Sequence, residues 1–139
     1  MATNVNADLA NRFVLVHPDL EHDPAGKQNE MGMIISADIA KDDFYVSFQD
    51  NTSGLYASDA LFLLKPVDEI HQLLVEHGAL LSFPDLKAFT HLDLTLRYGT
   101  GDKEWNALQM AVNNPSIQSL TLDLLKDTVS INQAQTRKR

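Results

Sequence analysis

The sequence predicts an α+β fold, because the spacing of its apolar residues changes once, near Pro66. Before Pro66, apolar residues occur at alternate positions in short runs, as expected for strands with one buried face. After Pro66 they recur three or four positions apart, which is the spacing of residues along one side of a helix. The chain of 139 residues is long enough for one domain, or for one small domain with an appendage.

The residue pattern of the strand-like half predicts four strands. The first is the β-prone run at 13–16, and the second and third are the alternating segments 31–39 and 44–49. A hairpin turn at 50–54 leads to a short strand at 55–57. Ser58 and Asp59 then suit the cap of a single helical turn that leads into 63–65. The polar segment 18–30 contains Pro24 and Gly26 and is predicted to be a loop.

The second half predicts a series of helices. The first covers 67–77, and Gly78 follows it as a stop signal. Ser82 precedes Pro84 as expected at the start of a second helix. Residues 91–98 alternate strictly between apolar and polar, which is typical of a strand. Their position after Ser82 favours a helix, and both alternatives stay open.

Three segments of the first half share features with a known class of small barrel. They read Met-Gly-Met-Ile-Ile at 31–35, Asp-Phe-Tyr-Val-Ser-Phe-Gln-Asp at 43–50, and Gly-Leu-Tyr-Ala-Ser-Asp-Ala-Leu at 54–61. This layout resembles the SH3-like β-barrels and is similar to KOW-type and Tudor-type modules. The resemblance implies an N-terminal SH3-like five-stranded β-barrel, followed by a C-terminal helical segment.

The resulting domain prediction has four parts. Residues 1–11 form a disordered lead-in, and residues 12–66 form the SH3-like barrel. Residues 67–128 form a helical segment packed on the barrel, and residues 129–139 form a flexible tail that ends in three basic residues.

The resemblance also implies a ligand site made of aromatic residues. Tudor-like modules bind methylated cations between aromatic rings, and the candidates here are Tyr45, Phe48 and Tyr56. The alternative interpretation places the aromatic rings in the barrel core and at its rim. KOW-like modules bind RNA, but residues 12–66 contain four basic and nine acidic residues, so nucleic acid is not the favoured partner.

A second candidate site lies in the loop that follows the first strand. His17, Asp19, His22 and Asp23 place two imidazoles and two carboxylates within seven positions, a donor set that can bind a divalent cation. A metal-dependent enzyme using this loop is therefore one alternative, and a solvated polar loop is the other. The sequence contains no phosphate-binding loop or dinucleotide motif, so no cofactor is predicted.

Composition narrows the remaining function classes. The net charge is −8 and there is no cysteine, which excludes disulfide scaffolds and thiol chemistry. The polar N-terminus and short apolar runs predict a cytoplasmic protein that does not associate with membranes. The predicted function is a non-catalytic protein-interaction or accessory module that binds another protein or itself as a homodimer. A set of apolar residues in the helical half could supply the interface of such a module. The alternative is that all of them belong to the internal core: Leu80, Leu81, Phe83, Phe89, Leu92, Leu94 and Leu96.

Overall fold

The computed structural model describes residues 9–20 and 26–129, and the chain divides into two compact units. The first, called the sheet unit, contains the described residues up to Leu63 and again from Asp123. The second, called the helical unit, is the intervening segment Leu64–Leu122. Most of the predicted lead-in and nearly all of the predicted tail lie outside the described residues.

Six strands form one open antiparallel sheet in the order β4-β3-β2-β1-β5-β6. Strand β1, one of the two middle strands, pairs with β2 on one side and with β5 on the other. The bounds of the strands are β1 Phe13–Val16, β2 Met31–Asp38, β3 Asp43–Phe48, β4 Ser53–Tyr56, β5 Leu61–Leu64 and β6 Leu122–Leu124.

Strand β3 shows how alternation builds the core of the sheet unit. Phe44, Val46 and Phe48 are buried, whereas Tyr45 between them is exposed, because successive side chains of a strand point to opposite faces. Tyr56 on β4 lies opposite Phe44 and is buried on the same face. The rest of this core cluster comes from several elements: Leu9, Val14, Val16, Ile34, Ala60, Leu61, Leu63, Leu125 and Val129.

The prediction of an SH3-like five-stranded β-barrel is wrong. The sheet has six strands and is not closed, and its sixth strand, β6, comes from the part of the chain that was predicted to be helical. The core cluster supplies a physical reason. Leu9, Leu125 and Val129, from outside the predicted barrel, join the buried cluster, so the sheet does not need to curl on itself to cover its apolar face.

The glycine of the barrel-like motif nevertheless has a clear structural role. Gly32 is buried in β2, where it pairs with Val14 on one side and Phe48 on the other. A Cβ atom at this position would lie 2.6 Å from Val46 Cγ1 and 2.9 Å from the Ser47 carbonyl oxygen. Only glycine therefore permits this close approach of β2 and β3.

The helical unit consists of three longer helices and several short turns. Their bounds are α1 Val67–His77, α2 Phe83–Tyr98, α3 Lys103–Asn113 and the single-turn α4 Gln118–Thr121, with 3₁₀ turns at Gly78–Leu80 and Pro115–Ile117. The core of this unit is formed by residues that recur at helical spacing: Ile70, Phe89, Leu92, Ala107, Leu108, Ala111 and Ile117.

The segment 91–98, which fitted either a helix or a strand, is helical. It forms the second half of α2, whose start is capped by Ser82, the Oγ of which accepts a hydrogen bond from the Asp85 amide at 3.3 Å. Leu92 is buried and Leu94 is exposed, as expected for residues about 200° apart around a helix.

Within the part of the chain that the structure describes, no helix is long and apolar enough to cross a membrane.

Candidate interaction surface

The three aromatic residues predicted to bind a ligand lie on two faces of the sheet. The rings of Phe48 and Tyr56 meet edge to face with their centroids 6.2 Å apart, and both residues are buried. Tyr45 lies on the opposite face, 40% exposed, and its hydroxyl accepts a hydrogen bond from Ser53 Oγ at 3.0 Å. The structure thus brings together Phe48 and Tyr56 but separates Tyr45 from them. Ligand binding by these residues, and the nucleic-acid alternative, stay predictions.

A cation of the protein itself already lies at the Phe48 ring. The Lys27 ammonium is 5.7 Å from the ring centroid and forms an ion pair with Asp50 in the turn between β3 and β4. The hydrogen bonds from Lys27 and Thr52 hold the pKa of the Asp50 carboxyl well below its usual range. This arrangement ties the loop before β2 to the β3–β4 turn.

This ion pair predicts a specific loss of stability in acid. Because the pKa of Asp50 is lower in the folded state, its stabilising contribution is fully present above the usual value of 3.8. It is lost progressively as the pH falls below that value toward the lowered pKa of the folded state. We expect the wild-type urea midpoint to fall more steeply between about pH 5 and pH 3 than the midpoint of Asp50→Asn. Lys27→Met should show the same shallower dependence of the urea midpoint on pH as Asp50→Asn. An equal change of the midpoint with pH in all three proteins would contradict a stabilising Lys27–Asp50 ion pair.

The predicted metal-binding loop is described only in part. His17 Nδ1 accepts a hydrogen bond from the Asp19 amide at 3.0 Å, and the His17 ring lies against Phe62 with the centroids 5.0 Å apart. His22 and Asp23 lie outside the described residues. Among residues 9–20 and 26–129, no group of three metal-ligating side chains occurs. Metal binding by this loop stays a prediction.

The apolar residues predicted for the interface or the core are divided between the core and the surface of the helical unit. Phe89 and Leu92 are fully buried, and Leu81 and Leu96 are half-buried. Leu80, Phe83 and Leu94 are exposed to solvent. The sequence reasoning missed two further exposed apolar residues of the same unit, Val75 and Tyr98.

One side of α2 presents a continuous row of exposed side chains, here called the outer face of α2: Phe83, Lys87, His91, Leu94 and Tyr98. These positions follow one another at intervals of four, four, three and four residues, so they lie along one side of the helix. Phe83 is 78% exposed, Tyr98 71% and Leu94 43%. Exposed apolar side chains mark an interaction site where they form a contiguous patch.

The charges of α2 are divided between its sides. Lys87 and His91 belong to the outer face, and the exposed Arg97 lies at its edge. The helix has two acidic residues, of which Asp85 is half-buried and Asp93 is buried. The outer face of α2 therefore carries one formal charge, that of Lys87, and no carboxylate, in a chain with a net charge of −8.

The buried Asp93 connects α1 to α2. Its Oδ2 atom lies 3.1 Å from His71 Nδ1 and 3.1 Å from an Arg97 guanidinium nitrogen, and the side chain is 1% exposed. Its Oδ1 atom is buried without a hydrogen-bond partner among the described residues. Sequence reasoning missed this cluster. The four-residue spacing of Asp93 and Arg97 is a weak signal for it, because such pairs are common on exposed helices.

The described residues therefore form an open sheet unit and a helical unit in which apolar side chains are exposed on one face of α2. Comparison with known proteins found no match among family models, curated proteins or solved structures.

Proposed function

We propose that this protein is a non-catalytic protein-interaction module whose binding surface is the outer face of α2. The observation that carries the proposal is the exposure of Phe83, Leu94 and Tyr98 along one side of a single helix. Aromatic side chains dominate the binding energy of many protein interfaces, because they bury a large area with few rotatable bonds.

The rigidity of α2 supports the same proposal. The helix is capped at Ser82 and packs through Phe89 and Leu92, both fully buried. Asp93 adds polar contacts to His71 on α1 and to Arg97 one turn later. A helix held in place in this way presents its outer face in the bound geometry at little further entropic cost.

Site-specific photo-crosslinking in the producing cell tests the proposal. A benzophenone amino acid replaces Phe83 or Tyr98 in turn, and the exposed Asp59 of the sheet unit provides the matched control position. We expect discrete protein adducts from positions 83 and 98 and none from position 59. The adducts should disappear when Leu94→Ser is added. An absence of adducts at both α2 positions would overturn the proposal.

A further inference from the structure

We infer that the open edge of the sheet at β4 is a second interaction surface, and that its occupant is the β4 strand of another copy of this chain. This surface belongs to the sheet unit and is separate from the outer face of α2. Three properties carry the inference: the backbone of β4, its lack of charge and the apolar residues beside it.

The backbone of β4 has hydrogen-bonding groups that point away from the sheet. Among the described residues, β4 pairs with β3 alone. The Phe48 amide donates to the Thr52 carbonyl at 2.9 Å, and in an antiparallel pair such bonds recur at every second residue. The amides and carbonyls of Ser53 and Leu55 are out of step with Thr52 and therefore face outward. Outward groups of this kind are a template for a further strand.

The strand lacks the features that commonly protect an open edge. Proteins cover such edges with charged residues, prolines or bulges, and β4 has none of these. The longer segment 51–58 also contains no charged residue and no proline. The opposite edge strand, β6, carries Asp123 among its three residues. Of the two edges, β4 is therefore the one that can pair with its own copy without placing like charges opposite each other.

An exposed apolar row leads up to this edge. Among the described residues of the sheet unit, the large apolar side chains that are exposed are Ile35, Tyr45 and Leu55. Tyr45 pairs directly with Leu55 across β3 and β4. On its other side Tyr45 pairs with Ser36, which follows Ile35 at the β-bulge of β2. The three apolar residues thus cross the sheet from β2 to β4 as one patch, and the patch ends at the open edge.

A second copy fits this edge because its own β4 supplies what the edge needs. Two identical strands can pair antiparallel about a two-fold axis, and an axis at Leu55 lets the two Leu55 residues exchange both backbone hydrogen bonds. The apolar row then runs without interruption from Ile35 of one copy to Ile35 of the other. A partner of different sequence would need the same combination, an uncharged extended strand with an apolar residue opposite Leu55.

The local structure limits the length of this pairing. It covers 53–57 and ends there, because the Ala57 carbonyl already accepts a hydrogen bond from the Ala60 amide within a 3₁₀ turn. Asp59 lies in that turn, beyond the paired residues. A two-fold pair of this kind is closed, so association stops at two copies.

Sedimentation equilibrium of the full chain tests the inference. We expect the wild type to pass from monomer to dimer at concentrations below about 1 mM in about 0.15 M salt, because a short strand pair is a small interface. Leu55→Lys should abolish the dimer, since a charge at the edge opposes strand pairing. Val75→Lys, at an exposed apolar position of the helical unit, should leave the dimer unchanged. Far-UV circular dichroism checks that both variants are folded.

The lack of cysteine in the chain allows a separate test of the register. Leu55→Cys places the two thiols on directly opposite residues, with Cα atoms about 5.5 Å apart, a distance that suits a disulfide. Ser53→Cys is the matched control, because the two copies of position 53 are offset by four residues, roughly 13 Å along the strands. Under mild oxidation we expect about tenfold more covalent dimer from Leu55→Cys than from Ser53→Cys.

The contrary outcomes are distinct from a failure of the proposed function. A monomer at every concentration up to about 1 mM would overturn the inference and leave the outer face of α2 untouched. Equal disulfide formation at positions 53 and 55 would contradict the two-fold register. Self-association that Phe83→Ser abolishes and Leu55→Lys preserves would assign the contact to α2 instead. Assembly beyond two copies would contradict a closed pair.

Discussion

Replacing Phe44 with alanine is expected to lower the free energy of unfolding by about 3–5 kcal/mol. Phe44 is fully buried in the core cluster of the sheet unit and lies opposite Tyr56 on the neighbouring strand. The substitution removes a large apolar surface and leaves a cavity that the surrounding strands fill only in part. Urea denaturation followed by far-UV circular dichroism measures the change.

The adjacent Tyr45 provides the matched control. It belongs to the same strand but faces the other side of the sheet, 40% exposed, where it pairs with Leu55. Tyr45→Ala should therefore cost about 1 kcal/mol or less. Comparable losses at both positions would contradict the observed register, since a shift of one residue exchanges the two faces.

Removing both partners of Asp93 is the second change with a large expected effect. His71→Leu combined with Arg97→Met leaves the carboxylate buried with neither of its observed contacts while retaining much of the side-chain volume. We expect a loss of about 2–3 kcal/mol, below the full cost of an unpaired buried charge because both partners are partly exposed. The measurement is again the free energy of unfolding in urea.

A third substitution makes this test specific to the buried charge. Adding Asp93→Leu to the double variant should restore at least about half of the lost stability, because an apolar side chain needs no partner there. Lys87→Ala, an exposed basic position on the same helix, should change stability by about 0.5 kcal/mol or less. A triple variant less stable than the double variant would show that Asp93 matters for packing and not through its charge.

The candidate surface could be predicted only in part. The apolar character of Leu80, Phe83 and Leu94 was evident, but the sequence did not separate them from Phe89 and Leu92. That separation depends on which side of α2 is covered by the rest of the helical unit. Asp93 was not singled out either, since it lies in the segment 91–98, which fitted both a helix and a strand.

The sequence by itself determined the local elements of this protein. Alternation placed the buried and exposed positions of β3, and the spacing after Pro66 together with Ser82 predicted helices where α1 and α2 lie. These signals are local, because they depend on residues that lie close to one another in the sequence.

Only the tertiary structure decided how the sheet is completed. Strand β6 has three residues, too few for an alternating pattern, and it joins the sheet next to β5, more than fifty positions earlier in the chain. Leu125 and Val129 then enter the core cluster of strands that lie far earlier in the sequence. Whether a sheet closes or stays open depends on what covers its apolar face, and that is a property of distant residues.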